Sequence, residues 1–342
     1  MAPSHGSNES EHRQNRYRWS RQLGNSFSVA VGKGRATNSA LGQQRWTRRA
    51  HAKDARKHGL SPKTEITRLR RHHTRLARLR ECRPVVFVTP STVLRGIAMR
   101  LQGVLGTDQG VLLSCTKGIE HGTGMRMSEI LREIFPTRKV AVLSGPNLAV
   151  EIVRGVPTAT VISCRDPECA AELQDFLGSS HFRIYTNNDV TSVELGGALK
   201  NVFAIAAGAS DGLGLGDNTK AALVTRSLAE LIRLGSAMGG NFRTFYGLSG
   251  LGDLMATCFS KHSRNRRVGE HLGRGQTLQQ ITSAMQMVAE GVPTTKSAYE
   301  CARTLNIDTP IIDEVYALLY QKKTPARAMQ ELLERDQKAE QT

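Results

Sequence analysis

No C-x-x-C pair occurs in this 342-residue chain, and its six cysteines, Cys82, Cys115, Cys164, Cys169, Cys258 and Cys301, have no histidines at zinc-ligand spacing. A structural metal site is therefore not expected, and such cysteine usage suits a reducing compartment better than a disulfide scaffold. No apolar run approaches the roughly 18 residues that a membrane helix needs, and residues 1–20 lack the apolar centre of a secretory signal. A soluble, cytoplasmic protein without a membrane partner is the expectation. Acidic residues are scarce in one region only: residues 1–83 hold 20 Lys and Arg against 5 Asp and Glu, while residues 84–342 hold 27 against 25. Of the net charge of +17, +15 thus falls in the first quarter. The remainder reads as a near-neutral globular protein, for which nucleic acid is not an expected partner.

Residues 1–83 also lack apolar periodicity, which predicts a basic, poorly ordered region with too little apolar surface to offset the entropy of ordering. A basic arm gripping phosphate backbones is one alternative, and it would bind in a salt-sensitive, sequence-tolerant way. Translation in a shifted frame is another: codons for Gln43–His51, moved by one base, can read Ser-Asn-Gly-Gly-His-Asp-Val-His, a plausible turn and strand start. Val29-Ala-Val-Gly-Lys-Gly34 carries a trace of a strand entering a glycine-rich turn. Thr37 and Asn38 stand where a third glycine is wanted, so a dinucleotide-binding turn is not present as written.

From Pro84 the pattern changes. Apolar strand runs at 85–90, 111–115, 140–143, 158–163 and 182–185 alternate with helical stretches at 92–101, 125–134, 148–153 and 167–177. Such alternation predicts an α/β unit with a parallel sheet, ligands lying beyond the carboxyl ends of its strands. Three segments fall on those ends: Thr89-Pro-Ser91, Cys115-Thr-Lys-Gly-Ile-Glu120 and Ser144-Gly-Pro-Asn147. After about Asp189 the strands stop, and helices are predicted at 190–207, 219–238, 264–272, 278–285, 294–305, 309–319 and 325–334, with glycine-rich joints at 208–216 and 247–253.

Within the first of those helices Lys200 stands in Val193-Glu-Leu-Gly-Gly-Ala-Leu-Lys-Asn-Val-Phe-Ala-Ile-Ala-Ala-Gly208, apolar on nearly every side. Burial would lower its pKa and make the proton exchangeable near neutrality, as an acid or base requires. The alternative is an ammonium that reaches water along its own stem. Ser263-Arg-Asn-Arg-Arg267 offers a hydroxyl, an amide and three guanidinium groups, the donor set that suits a phosphate monoester; a solvated helix start is the plainer reading. Asp253, ending a glycine turn, reads as a helix cap unless partners converge on it.

From Pro84 onward these stretches, with Asp211-Gly-Leu-Gly-Leu-Gly-Asp-Asn218, Leu251-Gly-Asp253 and Glu290-Gly291, resemble the bacterial-type NAD(P)-dependent glycerol-3-phosphate dehydrogenases. The resemblance implies a Rossmann-like dinucleotide-binding domain over 84–189, its first βαβ unit missing or corrupted within 1–83, followed by an all-α catalytic domain over 190–336. It implies that Lys200 is the acid/base. Lys117, Gly145, Asn147, Asp253, Ser263, Arg264 and Asn265 would surround glycerol phosphate, and Lys117, Ala149, Arg264, Val288 and Glu290 would touch NAD or NADP. The implied reaction interconverts dihydroxyacetone phosphate and sn-glycerol 3-phosphate for glycerophospholipid synthesis, and relatives are often homodimers. Three readings stand beside it. One is a catalytically impaired homologue, because the glycine turn is missing. Another is a two-domain dehydrogenase of a hydroxy acid or ketopantoate-like substrate, against which 263–267 argues. The last is a nucleic-acid-binding protein that uses the basic arm.

Overall fold

The computed structural model describes residues 84–342 apart from 107–109, 286–287, 338 and 341–342, together with the backbone strand Val29–Ala30. The remainder of 1–83, with the expected disorder, the basic arm and the failed glycine turn, lies outside the described residues.

Among the described residues six strands form one sheet in sequential order: β1 Val29–Ala30, β2 Val85–Phe87, β3 Leu112–Ser114, β4 Val140–Ser144, β5 Thr158–Cys164 and β6 Phe182–Asn187. The first of these pairs in parallel with β2, Val29 opposite Val86, so a strand does stand at the trace noted in the sequence. Both faces of the sheet are covered. Val85, Phe87, Leu112 and Val140 pack with Leu94, Leu101, Met127 and Leu131 of helices α1 (Ser91–Leu105) and α2 (Met127–Ile134). The alternate residues Val86, Leu113 and Ala141 pack with Cys169 and Leu173 of α4 (Pro167–Leu177) on the other face. Burial on two faces is why these strands read as continuous apolar runs rather than alternating ones.

The expectation of an all-parallel sheet fails at one place: β4 and β5 pair antiparallel, Ala141 opposite Cys164 and Ser144 opposite Val161, and β6 then follows β5 in parallel. Residues 145–157 between them hold only the five-residue helix α3 (Ala149–Val153), which buries none of its residues. A parallel crossover needs a helix long enough to cover the sheet. This one cannot, and the chain turns straight back over the carboxyl end of β4.

Helix α5, Val190–Gly212, is the axis of the second half, with 20 of its 23 residues buried. Asp189 caps it by accepting from the Ser192 N–H at 3.0 Å. Around it pack α6 (Asp217–Ala237), the short α7 (Phe242–Phe245), a π-helical turn (Leu248–Gly252) that runs into α8 (Asp253–Phe259), α9 (Arg264–Gly273), α10 (Leu278–Ala284), α11 (Gly291–Thr304), α12 (Pro310–Tyr320) and α13 (Pro325–Leu333). Two of these, α7 and α8, are not evident in the sequence pattern. The predicted break at Gly208 is also absent, because the glycine serves packing there. A Cβ on Gly208 would lie 1.9 Å from the Arg266 carbonyl oxygen, and one on Gly269 would lie 1.9 Å from that of Ile205. Glycines on both helices thus let α5 and α9 cross backbone to backbone. Among the described residues no helix is long and apolar enough to cross a membrane.

Candidate active site

The site forms where α5 passes the carboxyl ends of the strands. Thr116, just after β3, donates its hydroxyl to the Thr89 carbonyl at 2.9 Å and accepts from the Thr89 N–H at 3.2 Å, tying the ends of β2 and β3 together. Gly118 and Gly197 then permit close approach, since a Cβ would lie 2.4 Å from Ser91 Cβ at the first and 2.3 Å from Ser144 Oγ at the second. Gly145 has φ +145°, a conformation open to glycine, and turns the chain out of β4 beside Thr160. The three strand-end segments seen in the sequence therefore border one crevice.

At its floor one carboxylate holds two amines. Asp253, 1 % exposed, begins α8. Its Oδ2 accepts from Lys117 Nζ at 2.5 Å and its Oδ1 from Lys200 Nζ. Lys117 Nζ also reaches the Gly145 carbonyl at 3.0 Å, and Lys200 Nζ reaches Thr257 Oγ1 at 2.6 Å. Lys200 is only 6 % exposed, so its amine does not extend along its stem to open water. Burial pushes its pKa down to about 7; Lys117 acts in the same direction, while the Asp253 carboxylate opposes both. Asp253 is thus a partner of both lysines rather than the plain cap or turn residue of the sequence alternative. Thr257 was not foreseen. It lies one helical turn after Asp253, on the same face, but α8 itself escaped the sequence pattern.

Helix α9 begins beside this floor. Ser263 caps it, accepting from the Arg266 N–H at 3.2 Å. Asn265 donates to Asn201 Oδ1 at 2.7 Å and accepts from the Gly291 N–H at 2.9 Å, which joins α5, α9 and α11 next to Lys200. Arg264 is exposed and donates to the Val288 carbonyl at 2.7 Å. Of the three guanidinium groups read in the sequence as a phosphate donor set, Arg266 turns away to Asp211, with Nε 2.6 Å from its Oδ2, while Arg267, like Arg264, is exposed.

On the far side of the crevice the Glu290 carboxylate sits at the start of α1, accepting from the Ser91 hydroxyl at 2.5 Å and from its N–H at 3.2 Å. Burial raises the Glu290 pKa, against the Ser91 hydrogen bonds and the charge of Arg264. Asn147 donates to Thr160 Oγ1 at 2.9 Å, and Ala149 is exposed on α3. Thr89 Oγ1, Ser144 Oγ and Asn147 Oδ1 are buried and have no hydrogen-bond partner among the described residues. Hydroxyl and amide oxygens left open at the carboxyl ends of β2 and β4 fit a polar ligand laid across those ends, as a dinucleotide lies in such a sheet.

This geometry can be set beside known proteins. The sequence pattern of the NAD-dependent glycerol-3-phosphate dehydrogenase C-terminus matches residues 189–330, and that of the N-terminus matches residues 60–170. The glycerol-3-phosphate dehydrogenase [NAD(P)+] of Syntrophotalea carbinolica is 49% identical over 259 residues, covering 75% of this chain and 78% of its own. The chain belongs to the NAD-dependent glycerol-3-phosphate dehydrogenase family. The Clostridium perfringens enzyme of the same name is 44% identical over 256 residues, 75% of this chain and 77% of its own. Among solved structures, glycerol-3-phosphate dehydrogenase from Coxiella burnetii superposes with a TM-score of 0.73 at 36% identity, over 76% of this chain and 79% of that one. The family fold, a Rossmann-like unit followed by a helical one, is the architecture described above.

Proposed function

We propose that this chain is an NAD(P)-dependent glycerol-3-phosphate dehydrogenase, reducing dihydroxyacetone phosphate to sn-glycerol 3-phosphate reversibly in the cytoplasm and supplying glycerophospholipid synthesis. Residues 84–189, the remainder of a dinucleotide unit to whose sheet β1 also belongs, act with the catalytic unit 190–336, with a homodimer as the assembly. The observation that carries this reading is the pair of lysines on Asp253, one of them held near neutrality by burial, at the carboxyl ends of the strands.

When bound, NAD(P)H supplies the hydride that adds to C2 of the ketone. Lys117, Ala149, Arg264, Val288 and Glu290 would hold that cofactor. The protein's own part is electrostatic and protonic. As negative charge develops on the C2 oxygen, the Lys200 ammonium stabilises it and donates the proton that completes the alcohol; in the reverse direction neutral Lys200 removes that proton. Lys117 adds positive charge from the β3 side, and Asp253 keeps both amines pointed at one place. Thr257 fixes the Lys200 amine from the other side. Ser263, Arg264 and Asn265 bind the phosphate, with Gly145 and Asn147 at its edge, and that binding energy places C2 against Lys200.

The test is oxidation of NAD(P)H by the purified chain with dihydroxyacetone phosphate. Lys200→Ala should lower kcat by at least about a hundredfold and change KM little; near-normal turnover would refute the role given to the amine. A second reading, a homologue with weakened cofactor binding, is favoured by Thr37 and Asn38 at the place of a third glycine. It predicts ordinary glycerol 3-phosphate binding with a raised KM for NAD(P)H.

A further inference from the structure

We propose that Asp211 is a positioning residue for the substrate phosphate: it fixes the roll of α9 about its own axis and so aims Ser263, Arg264 and Asn265. The inference rests on the preceding reading, in which those three residues hold the phosphate.

The crossing of α5 and α9 is made by backbone at Gly208, Gly212, Gly269 and Gly273. Such a contact is close, and the side-chain bonds that flank it, Asn265 to Asn201 among them, set how one helix is turned against the other. Immediately beside it, Asp211 Oδ2 lies 2.6 Å from both Nε and Nη2 of Arg266. Lys220 Nζ reaches the same carboxylate at 2.9 and 3.0 Å, and it lies 4.8 Å over the ring of Phe259, the last residue of α8. One carboxylate therefore connects α5, α6 and α9, with α8 in contact through Phe259. These include the three helices that carry Lys200, Asp253 with Thr257, and the proposed phosphate donors.

The direction of the effect follows from helical geometry. Arg264 precedes Arg266 by two residues, about 200° around the helix. With Arg266 held to Asp211 on one side, Arg264 must project from the other, where it meets the Val288 carbonyl, while Asn265 between them meets Asn201. The side chains of Asp211, Arg266 and Lys220 are only 17%, 13% and 8% exposed, so the cluster is screened far less than a surface ion pair.

The experiment compares Asp211→Asn and Arg266→Lys with the unsubstituted chain on dihydroxyacetone phosphate and on dihydroxyacetone, which carries the same ketone without the phosphate. Glycerol 3-phosphate affinity is measured by calorimetry. For Asp211→Asn, kcat/KM with the phosphorylated ketone should fall about ten- to a hundredfold, the cost of a displacement of an ångström or less, mainly through KM. The calorimetric Kd should rise with it. Dihydroxyacetone should change by less than about threefold, the scale of an exposed ion pair. Arg266→Lys keeps the charge and should fall between, and it answers the question if Asp211→Asn does not fold. The ratio of the two kcat/KM values is independent of how much protein is folded. An unchanged ratio, or equal losses on both ketones, overturns the inference while leaving the proposed reaction intact. An unsubstituted chain that neither turns over dihydroxyacetone phosphate nor binds glycerol 3-phosphate overturns the proposed reaction, and the inference with it.

Discussion

Replacing Gly208 by alanine tests the packing on which the site depends. An added Cβ would lie 1.9 Å from the Arg266 carbonyl oxygen, 2.8 Å from its carbonyl carbon and 2.9 Å from the Glu270 nitrogen. Carbon and carbonyl oxygen normally approach to about 3.3 Å, so α5 and α9 must part by over an ångström at this point. The obstacle is backbone, which cannot rotate aside as a side chain can. Overpacking of this kind costs about 1–3 kcal/mol or more, against about 1 kcal/mol gained from the better helix propensity of alanine. A net destabilisation of about 1–2 kcal/mol is expected, lowering the thermal midpoint by about 2–8 °C for a domain of this size. Gly103→Ala in α1 is the control. No described residue lies within 4 Å of its Cβ position, and the variant should gain about 0.5–1 kcal/mol. The assay is thermal or urea unfolding of both variants beside the unsubstituted chain. Parting the helices should also stretch the 2.7 Å Asn265–Asn201 bond and weaken glycerol 3-phosphate binding. A Gly208→Ala protein as stable as Gly103→Ala would refute the account of this crossing.

Three other outcomes follow from the charges. With Lys200 titrating at about 7, reduction of dihydroxyacetone phosphate should fall about tenfold per pH unit above that value, and glycerol 3-phosphate oxidation should rise as steeply up to it; initial-rate profiles with saturating NAD(P)H or NAD(P)+ check this. Asp253→Asn removes the group that opposes the depression of Lys200, so both limbs should move to lower pH in the same assay. Glu230, buried on α6, accepts from the Ile311 and Ile312 N–H groups at 2.9 and 2.8 Å, and burial raises its pKa from 4.5 to about 8. The folded form therefore holds this proton more tightly than the unfolded one, and the group makes stability fall as pH rises from about 4.5 to 8. Lys200 acts oppositely between about 7 and 10.5, where only the unfolded chain stays protonated. Urea midpoints of Glu230→Gln should show the first slope flattened, and an unaltered slope would refute the assignment.

Local composition determined a good deal of this protein. Two-sided apolar runs gave away the strands, the unbroken apolar helix around Lys200 announced its burial, and the order of motifs identified the family. The tertiary structure decided the rest, because the deciding contacts are far apart in the chain. Lys200 and Asp253 are 53 residues apart, and Lys117 and Asp253 are 136 apart. Gly208 looked like a break because glycine favours ends and turns, yet here the missing Cβ makes room for another helix. The antiparallel β4–β5 pair depended on how little the intervening α3 could bury. Arg266 was indistinguishable from Arg264 until the helix phase sent one to Asp211 and the other to Val288. A residue's type and its neighbours in sequence set what it can do; which partner it meets is fixed only when distant segments compete for the same buried space.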